Sequence, residues 1–188
     1  MNHKMKYDLD WKRANEILGK LDVDDAEFFR RFISLDSLTG LLNGPAFHDV
    51  LNKEVHRVQD DHSKLCVAIL DIDGFKEYQD SNGGHTIGDN LIVQIGNIIN
   101  KGFHDYDLTS RLHGDEFAVG LININCANAL KATNRVRETI AQQTPVTVSI
   151  GVAEYTLGMH ASELIQRADD AHYDAKRKGK NLSVPYRE

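Results

Sequence analysis

The most constraining feature of this chain is an uninterrupted apolar run, residues 65–70, that ends directly in acidic residues. A short continuous apolar run of this kind is typical of a strand buried on both faces of a sheet. Asp71 and Asp73 follow it, separated by Ile72. Because ligands of open α/β sheets bind beyond the carboxyl ends of strands, the run predicts a central strand and places Asp71 at a ligand-binding edge.

A second acidic pair, Asp115 and Glu116, follows Gly114 between two runs that we predict to be strands, 107–112 and 117–122. A hairpin turn carrying Asp and Glu presents hard oxygen ligands suited to Mg²⁺ and, through it, to phosphates. Each cluster has an ordinary alternative, since Gly-Asp is common in turns and Asp71 could cap the next helix. Two acidic clusters brought together from separate strands favour a metal site for phosphoryl chemistry.

Helical and strand patterns alternate along the rest of the chain. Strands are predicted at 65–70, 108–112, 117–122, 146–152 and about 182–184, and helices from Pro45, from Phe75, around 91–99, at 127–142 and at 161–178. The loop 81–85 is predicted to separate the second and third helices. A hairpin inside an otherwise crossover-connected order indicates an α/β fold, with a central mixed β-sheet of about five strands flanked by helices.

The first 35 residues are predicted to be an N-terminal helical extension, preceding a main domain at 36–188. Two short helices are expected there. The first carries Trp11, Ala14, Ile17, Leu18 and Leu21 at helical spacing, and the second begins at a cap formed by Asp24 with Glu27 and continues with Phe28, Phe29, Phe32 and Ile33. The aromatic stripe packs either against the core or against a second copy of the chain, and both readings stay open.

The composition of the chain limits the kinds of partner and compartment that we expect. The 188 residues carry a formal net charge of −6, so we expect no nucleic-acid surface. No apolar run approaches the roughly 20 residues of a membrane span, and the first residues do not form a secretory signal. Cys66 and Cys126 lack metal-ligand spacing, and the nine histidines show none either. Free thiols fit a reducing compartment, so we expect a soluble, cytoplasmic protein.

Two further groups of residues suit a nucleotide. Asp89, at the end of a glycine-rich loop that is not a P-loop, could accept two hydrogen bonds from a guanine edge, and Gln79 could meet the O6 or N7 edge. Lys176 and Lys180 lie four apart, which would let two ammonium groups grip a triphosphate. The ordinary alternatives are helix-dipole complementarity for Asp89 and a solvated helix end for the lysines.

Six ordered motifs resemble one family. They are Asp36-Ser37-Leu38-Thr39-Gly40-Leu41-Leu42-Asn43, Asp71-Ile72-Asp73-Gly74-Phe75-Lys76, Gly84-His85-Thr86-Ile87-Gly88-Asp89, Arg111-Leu112-His113-Gly114-Asp115-Glu116-Phe117, Val148-Ser149-Ile150-Gly151-Val152-Ala153, and the segment from Ala168 to Lys176 followed by Gly179-Lys180-Asn181. In this order they resemble GGDEF domains, the diguanylate cyclases, over about residues 36–186.

The resemblance implies a palm-like fold and a magnesium-dependent condensation of two GTP into cyclic di-GMP, with release of two pyrophosphates. Each subunit of a homodimer would hold one GTP. The implied ligands of Mg²⁺ (or Mn²⁺) are Asp71, the Ile72 carbonyl, Asp115 and Glu116, the last also as an aid to deprotonating the 3′-OH. The implied nucleotide contacts are the Phe75 backbone, Lys76, Gln79, Asp89, His113, Gly114, Lys176 and Lys180.

Several departures from the family pattern bear on activity. His113 replaces the first glycine of the name-giving motif, which predicts turn strain and crowding. Gln79 replaces Asn, Lys180 replaces Arg, and the loop at Gly83 is one residue longer. The Arg of the product-inhibition site is replaced by His104, so we expect weak or absent feedback inhibition. The alternative function is a degenerate GTP-binding or protein-interaction module with little or no cyclase activity. Altered base choice is disfavoured by Asp89.

Overall fold

The computed structural model describes residues 13–14, 16–22, 25, 29 and 33–187. From residue 42 onward, strands and helices alternate. In chain order the elements are β1 (Leu42–Asn43), α1 (Gly44–Asp61), β2 (Leu65–Asp73), α2 (Phe75–Asn82), α3 (His85–Gly102), β3 (Leu108–His113), β4 (Glu116–Ile122), α4 (Cys126–Gln143), β5 (Thr147–Glu154), α5 (Ala161–Arg177) and β6 (Ser183–Pro185).

The strands form one mixed sheet in the order β1-β3-β4-β2-β5-β6. β2 lies inside the sheet and runs antiparallel to both of its neighbours, β4 and β5. The two outer pairings, β1 with β3 and β5 with β6, are parallel. The predicted α/β class is therefore confirmed, with six strands where about five were expected. The additional strand is β1, whose two residues are too few to produce a recognisable alternation.

The apolar run of β2 is buried on both sides, as its sequence predicted. Residues 65–70 are at most 1% exposed. Cys66, Ala68 and Leu70 face a core shared with α3 and α4, whereas the alternate residues face a second core shared with α1 and α5. The helices thus cover both faces of the sheet and leave its ends as the places where polar side chains meet.

Helix α1 confirms the pattern that begins at Pro45. Pro45 lies in the first turn, and the side chain of Asn43 caps the helix by accepting a hydrogen bond from the backbone N–H of Ala46 at 3.0 Å. The predicted apolar face is Phe47, Val50, Leu51, Val55 and Val58, of which all but the half-buried Val50 are buried.

The connection between α2 and α3 is shorter than predicted. Helix α2 continues through Asn82 and α3 begins at His85, so the expected loop contracts to Gly83 and Gly84. Both glycines have positive φ, +110° and +82°, a backbone region that other residues rarely adopt. Two consecutive glycines thus form the whole connection, and Asp89 lies on a helix instead of in a loop. That this loop is one residue longer than the family pattern stays a prediction.

Helix α5 packs unusually close to the sheet because Gly151 of β5 has no side chain. A Cβ at this position would overlap the backbone nitrogen of His172 and the carbonyl oxygen of Ala168. Small residues on the helix, including Ala168 and Ala175, complete the contact and are fully buried. The close packing fixes where the polar face of α5 meets the ends of the strands.

Part of the N-terminal extension is described. Residues 13–14, 16–18, 25, 29 and 33–34 are helical; Leu18 is buried, whereas Ile17 and Phe29 are exposed. Other residues of the predicted stripes and cap lie outside the described residues: Trp11, Asp24, Glu27, Phe28 and Phe32. The extension as a unit of its own therefore stays a prediction. Within the described part of the chain, no helix has the length and apolar character needed to cross a membrane.

Candidate active site

The two acidic clusters meet at one end of the sheet. Asp71 of β2 lies directly opposite Glu116 of β4 in the antiparallel register. The backbone N–H of Ile72 donates to the carbonyl oxygen of Asp115 at 3.3 Å. The predicted convergence of acids from separate strands is therefore confirmed, because sheet pairing itself brings the three carboxylates together.

The hairpin turn between β3 and β4 is built on Gly114. Its φ of +52° is left-handed, and a Cβ there would meet no other group. His113 ends β3 and is absent from the positive-φ residues of the described chain. The expectation of backbone strain at His113 is therefore wrong. The strand pairing of β3 with β4 instead shifts register between Arg111 and His113, as at a β-bulge, and the chain turns there without a positive φ at His113.

The imidazole of His113 turns toward the acids. Its side chain is 78% exposed, and Nε2 lies 2.8 Å from Oε2 of Glu116. His113 thus contacts a candidate catalytic carboxylate, whereas crowding of the nucleotide by its imidazole stays a prediction. Gly114 is held on its other side, where its carbonyl oxygen accepts a hydrogen bond from Nε of Arg111 at 2.9 Å.

The acids of the cluster resist ionisation. Burial raises the pKa of Asp115 above its ordinary value, and the negative charge of Asp71 raises it further. Burial also raises the pKa of Glu116; the contact with His113 opposes this rise, and nearby carboxylates reinforce it. Carboxylates that repel one another in a partly dry site are suited to a hard divalent cation, which relieves the repulsion.

Lys176 of α5 is the cation nearest to these acids. Its Nζ contacts Oδ1 of Asp71 and lies 3.4 Å from Oδ1 of Asp73. In this arrangement the lysine neutralises Asp71. The interpretation of Lys176 as a solvated helix end is wrong, because its side chain is 24% exposed and points at the acidic cluster.

Asp73 serves as an anchor. Its buried carboxylate accepts hydrogen bonds from the hydroxyls of Thr147 and Ser149, each at 2.7 Å, and from the backbone N–H of Asn181 at 3.0 Å. Neither Asp71 nor Asp73 caps α2, whose N-cap is Gly74 without a side-chain bond. The hydrogen-bonding roles of Thr147 and Ser149 were not predicted, although two polar residues two apart in an apolar strand indicate one polar face.

Lys180 lies in the loop between α5 and β6, next to Asn181, whose backbone N–H donates to Asp73. Lys180 and Asn181 have left-handed backbone conformations, with φ of +64° and +49°. The side chain of Lys180 is exposed and makes no ion pair with any residue that the structure describes. It stands one residue from the anchored amide, near Lys176 along the chain. Asp73 therefore lies between the two lysines predicted to bind phosphates: it is 3.4 Å from Nζ of Lys176, and it accepts the backbone N–H of the residue after Lys180.

The residues predicted to contact a base lie on the α2–α3 hairpin. Gln79 is half-buried on α2, and its Nε2 lies 3.3 Å from Nδ1 of His85. Gly88 of α3 makes room for Gln79 and for the ring of Phe75. Asp89 is exposed and lies beyond the first turn of α3, which contains no acid, so the dipole interpretation does not hold. Lys76 is exposed on α2.

Asp36, the first residue of the first motif, braces the hairpin. Its Oδ1 accepts from the Thr39 amide at 2.9 Å and from the Thr39 hydroxyl at 2.7 Å, and both its oxygens lie 3.3 Å from Nη1 of Arg111. Since Arg111 also holds Gly114, the motif stabilises the acidic turn from outside the site. This role was not predicted, because partners 75 residues apart give no local pattern.

Residues 104–107 correspond to the product-inhibition site of the family, and the carboxylate of Asp107 in this segment is already hydrogen-bonded. Asp107 accepts from the backbone N–H of His104 at 3.0 Å and from that of Ile122 at 2.9 Å. The ring of His104 stacks on Tyr106 with centroids 5.0 Å apart. Weak feedback inhibition stays a prediction, now with a second reason: Asp107 already holds two backbone groups.

The geometry defines a mixed α/β domain with an acidic hairpin at one end of its sheet. A family model described as "Diguanylate cyclase, GGDEF domain" matches residues 33–182. The chain therefore belongs to the GGDEF family.

Curated relatives and solved structures agree. The chain is 34% identical to the probable diguanylate cyclase DgcT of Escherichia coli K12 over 79% of its own length and 35% of that protein. It is 34% identical to the diguanylate cyclase DgcS of Shewanella oneidensis over 78% of its own length and 50% of that protein. The chain thus spans between a third and a half of these relatives.

Among solved structures, the GGDEF domain of DgcB from Caulobacter crescentus, in complex with c-di-GMP, superposes with a TM-score of 0.79 at 28% identity. This match covers 81% of this chain and 95% of that one. The diguanylate cyclase SiaD of Pseudomonas aeruginosa, in complex with its activator SiaC, gives a TM-score of 0.80 at 30% identity and covers 97% of this chain and 74% of that one.

Proposed function

We propose that this protein is a diguanylate cyclase that condenses two GTP into cyclic di-GMP and releases two pyrophosphates. The observation that carries the proposal is the pairing of Asp71 with Glu116 across the sheet, with Asp115 held beside them in the hairpin. Membership of the GGDEF family, whose curated relatives are named diguanylate cyclases, supports the same chemistry.

The donor set fits Mg²⁺ or Mn²⁺. Asp71, the Ile72 carbonyl, Asp115 and Glu116 would hold the cation. Burial and neighbouring negative charges raise the pKa of Asp115 and Glu116, and a bound cation would relieve that repulsion. When bound, such a cation neutralises phosphate oxygens and polarises the α-phosphate toward attack.

The remaining residues bind and orient the nucleotide. Lys76, Lys176 and Lys180, with the backbone at Phe75, supply positive charge and N–H donors to the triphosphate. For Lys176 this requires exchanging its contact with Asp71 for a phosphate oxygen. On the α2–α3 hairpin, Gln79 and Asp89 would read the guanine edge, and His113 and Gly114 would adjoin the nucleotide.

Cyclisation requires two subunits facing each other, each with one GTP. Each 3′-hydroxyl attacks the α-phosphate of the opposite GTP, the bond from that phosphate to its pyrophosphate breaks, and the hydroxyl proton passes to a base for which Glu116 is the candidate. Two attacks close the ring. A homodimer follows as part of the proposal, and the cytoplasm supplies GTP and Mg²⁺.

Turnover by purified protein tests the proposal. With GTP and Mg²⁺ we expect cyclic di-GMP by chromatography and two pyrophosphates per product. Asp115→Ala and Glu116→Ala should each lower the rate by at least about 100-fold, the scale of lost electrostatic stabilisation, with an unchanged circular dichroism spectrum. Asp170→Ala, at an exposed position of α5, is the matched control. Unchanged turnover in the first two variants would contradict the assignment.

A second function is favoured by one observation: the acids are engaged internally, Asp71 by Lys176 and Glu116 by His113. A chain locked in this arrangement would be a GTP-binding or protein-interaction module without cyclase activity. Measurable GTP binding together with no product at high protein concentration would support it.

A further inference from the structure

The face of α5 toward the active site carries more than Lys176. Asp169 and His172 lie on the same face, seven and four residues before it. Together with Glu116 of β4 they form a group in which one ligand atom from each residue lies within 4.8 Å of the other two. The histidines show no ligand spacing along the sequence; this group is assembled by the packing of α5 on the sheet.

The imidazole of His172 distinguishes this group from an ordinary pair of neighbouring acidic residues. Its side chain is 10% exposed, and Nε2 is buried without a hydrogen-bond partner in the described structure. Nδ1 lies 3.6 Å from Oδ1 of Asp169, which is beyond hydrogen-bonding distance. A buried imidazole ordinarily satisfies its nitrogens. Here the ring lies beside two carboxylates, and neither of its nitrogens has a hydrogen-bond partner in the described structure.

The separation between Asp169 and His172 matches a transition-metal site, and Glu116 lies within 4.8 Å of both. Ligand atoms 2.0–2.2 Å from a tetrahedral Zn²⁺ stand about 3.3–3.6 Å apart, and the 3.6 Å between Asp169 and His172 falls at the edge of that range. One imidazole with two carboxylates suits Zn²⁺ and similar cations, whereas Mg²⁺ prefers oxygen ligands throughout. Asp169 is half-exposed and gives a cation access from solvent.

We propose that Glu116, Asp169 and His172 form a binding site for a divalent transition-metal cation, distinct from the Mg²⁺ site by its use of Asp169 and His172. The group shares one residue, Glu116, with the proposed catalytic cluster. Occupancy would withdraw this carboxylate from GTP chemistry, so Zn²⁺ would act as an inhibitor that Mg²⁺ does not mimic. This regulatory consequence rests on the proposed cyclase activity, whereas the binding site does not.

Zinc binding by the full chain tests the site directly. Metal-free protein, without nucleotide or Mg²⁺, is titrated with Zn²⁺ in competition with a chromophoric zinc indicator. We expect one site per chain with a Kd on the order of 1 µM. His172→Gln and Asp169→Asn should each weaken binding by about tenfold or more. His160→Gln is the matched control, since His160 is exposed at the start of the same helix and its side chain makes no capping bond.

The outcomes separate the site from the cyclase. Asp71→Asn should keep zinc binding while losing product formation, because Asp71 lies outside the group. Asp169→Asn changes a half-exposed side chain and should leave the thermal unfolding temperature unchanged, so its loss of binding cannot be blamed on misfolding. Absence of a zinc site in the unaltered protein, or equal affinity in the His172→Gln and His160→Gln variants, would overturn the proposal.

Discussion

At the scale of single residues, the hydrogen-bond and ion-pair partners of each acidic side chain determine its role in the candidate site. Asp73 is buried and fully engaged by hydroxyl and amide donors, so it anchors structure. Asp71 contacts Lys176, and Glu116 contacts His113. Burial and the negative charge of Asp71 raise the pKa of Asp115 and of Glu116. A divalent cation would replace the contacts of Asp71 and Glu116 and relieve this repulsion. Four carboxylates within two short motifs thus divide into one structural residue and three proposed metal ligands.

His113 provides a test at this scale. Its Nε2 occupies one oxygen of Glu116, so we expect His113→Ala to release that carboxylate and raise the initial rate of cyclic di-GMP formation by about threefold, the effect of one modest hydrogen bond. His113→Gln, which keeps an N–H donor, should stay near the unaltered rate. A loss of activity in His113→Ala would instead indicate that the imidazole positions Glu116.

Asp36 provides a second test, through the pH dependence of stability. Burial alone would raise the pKa of Asp36, but hydrogen bonds from Thr39 and the guanidinium of Arg111 outweigh it and hold the pKa below its ordinary value. A depressed folded-state pKa stabilises the protein above the unfolded-state pKa of about 3.9, and this contribution is lost as the pH falls through the folded-state value.

We therefore expect Asp36→Asn to lower the free energy of unfolding by about 1 kcal/mol at neutral pH, with the difference shrinking once the pH drops below about 4. Urea denaturation across this pH range measures it. Asp60→Asn, at an exposed position of α1, should match the unaltered protein throughout. A difference that persists unchanged in acid would show that the carboxylate charge is not responsible.

At the scale of elements, the position of α5 decides the site. This helix supplies Lys176, Asp169 and His172, and it reaches the strand ends only because β5 presents Gly151. The α2–α3 hairpin is the second such element, since two glycines reverse the chain and bring Gln79 beside Gly88. Both cases show a glycine controlling the placement of polar side chains on a neighbouring helix.

We expect Gly151→Ala to lower the free energy of unfolding by about 2 kcal/mol or more, because the added methyl group meets helix backbone that cannot move independently. Gly120→Ala in β4 is the matched control. There the nearest atoms belong to the side chain of Leu108, starting at 3.1 Å, which can turn away at a cost of about 1 kcal/mol or less. Equal losses in urea denaturation would show that α5 yields to the strand.

At the scale of the whole molecule, each chain has one acidic end of the sheet and one α2–α3 hairpin. Under the proposed function, a single copy would therefore supply one half of a reaction between two nucleotides. The stripe that contains Phe29 and Ile33 belongs to the same scale, because a second copy is one of its two predicted partners. Phe29 is exposed and Ile33 is half-buried.

If catalysis needs two chains, specific activity should depend on protein concentration. Below the dimer dissociation constant, tenfold dilution should lower the specific activity by about tenfold. Pyrophosphate release measured across a dilution series, with size-exclusion chromatography at the same concentrations, checks this. Constant specific activity in a preparation that elutes as monomer would contradict the dimeric mechanism.

The sequence was sufficient wherever the signal is local. The apolar run of β2 predicted a doubly buried strand, the helix at Pro45 followed from its first-turn proline, and the order of motifs indicated the family. It was insufficient for β1, for the start of α3 at His85, and for the backbone at His113, because two-residue pairings, loop contraction and turn geometry depend on contacts with other elements.

By itself, the sequence determined the α/β class, the central strand and the identity of the acids that meet at its end, because periodicity and motif spacing are properties of neighbouring residues. The tertiary structure alone decided which acid is an anchor, that Lys176 pairs with Asp71, that Asp36 braces the hairpin through Arg111, and that His172 joins Glu116 and Asp169. These contacts link residues far apart in the chain, and their energies depend on burial and on distances that only the packed sheet and helices establish.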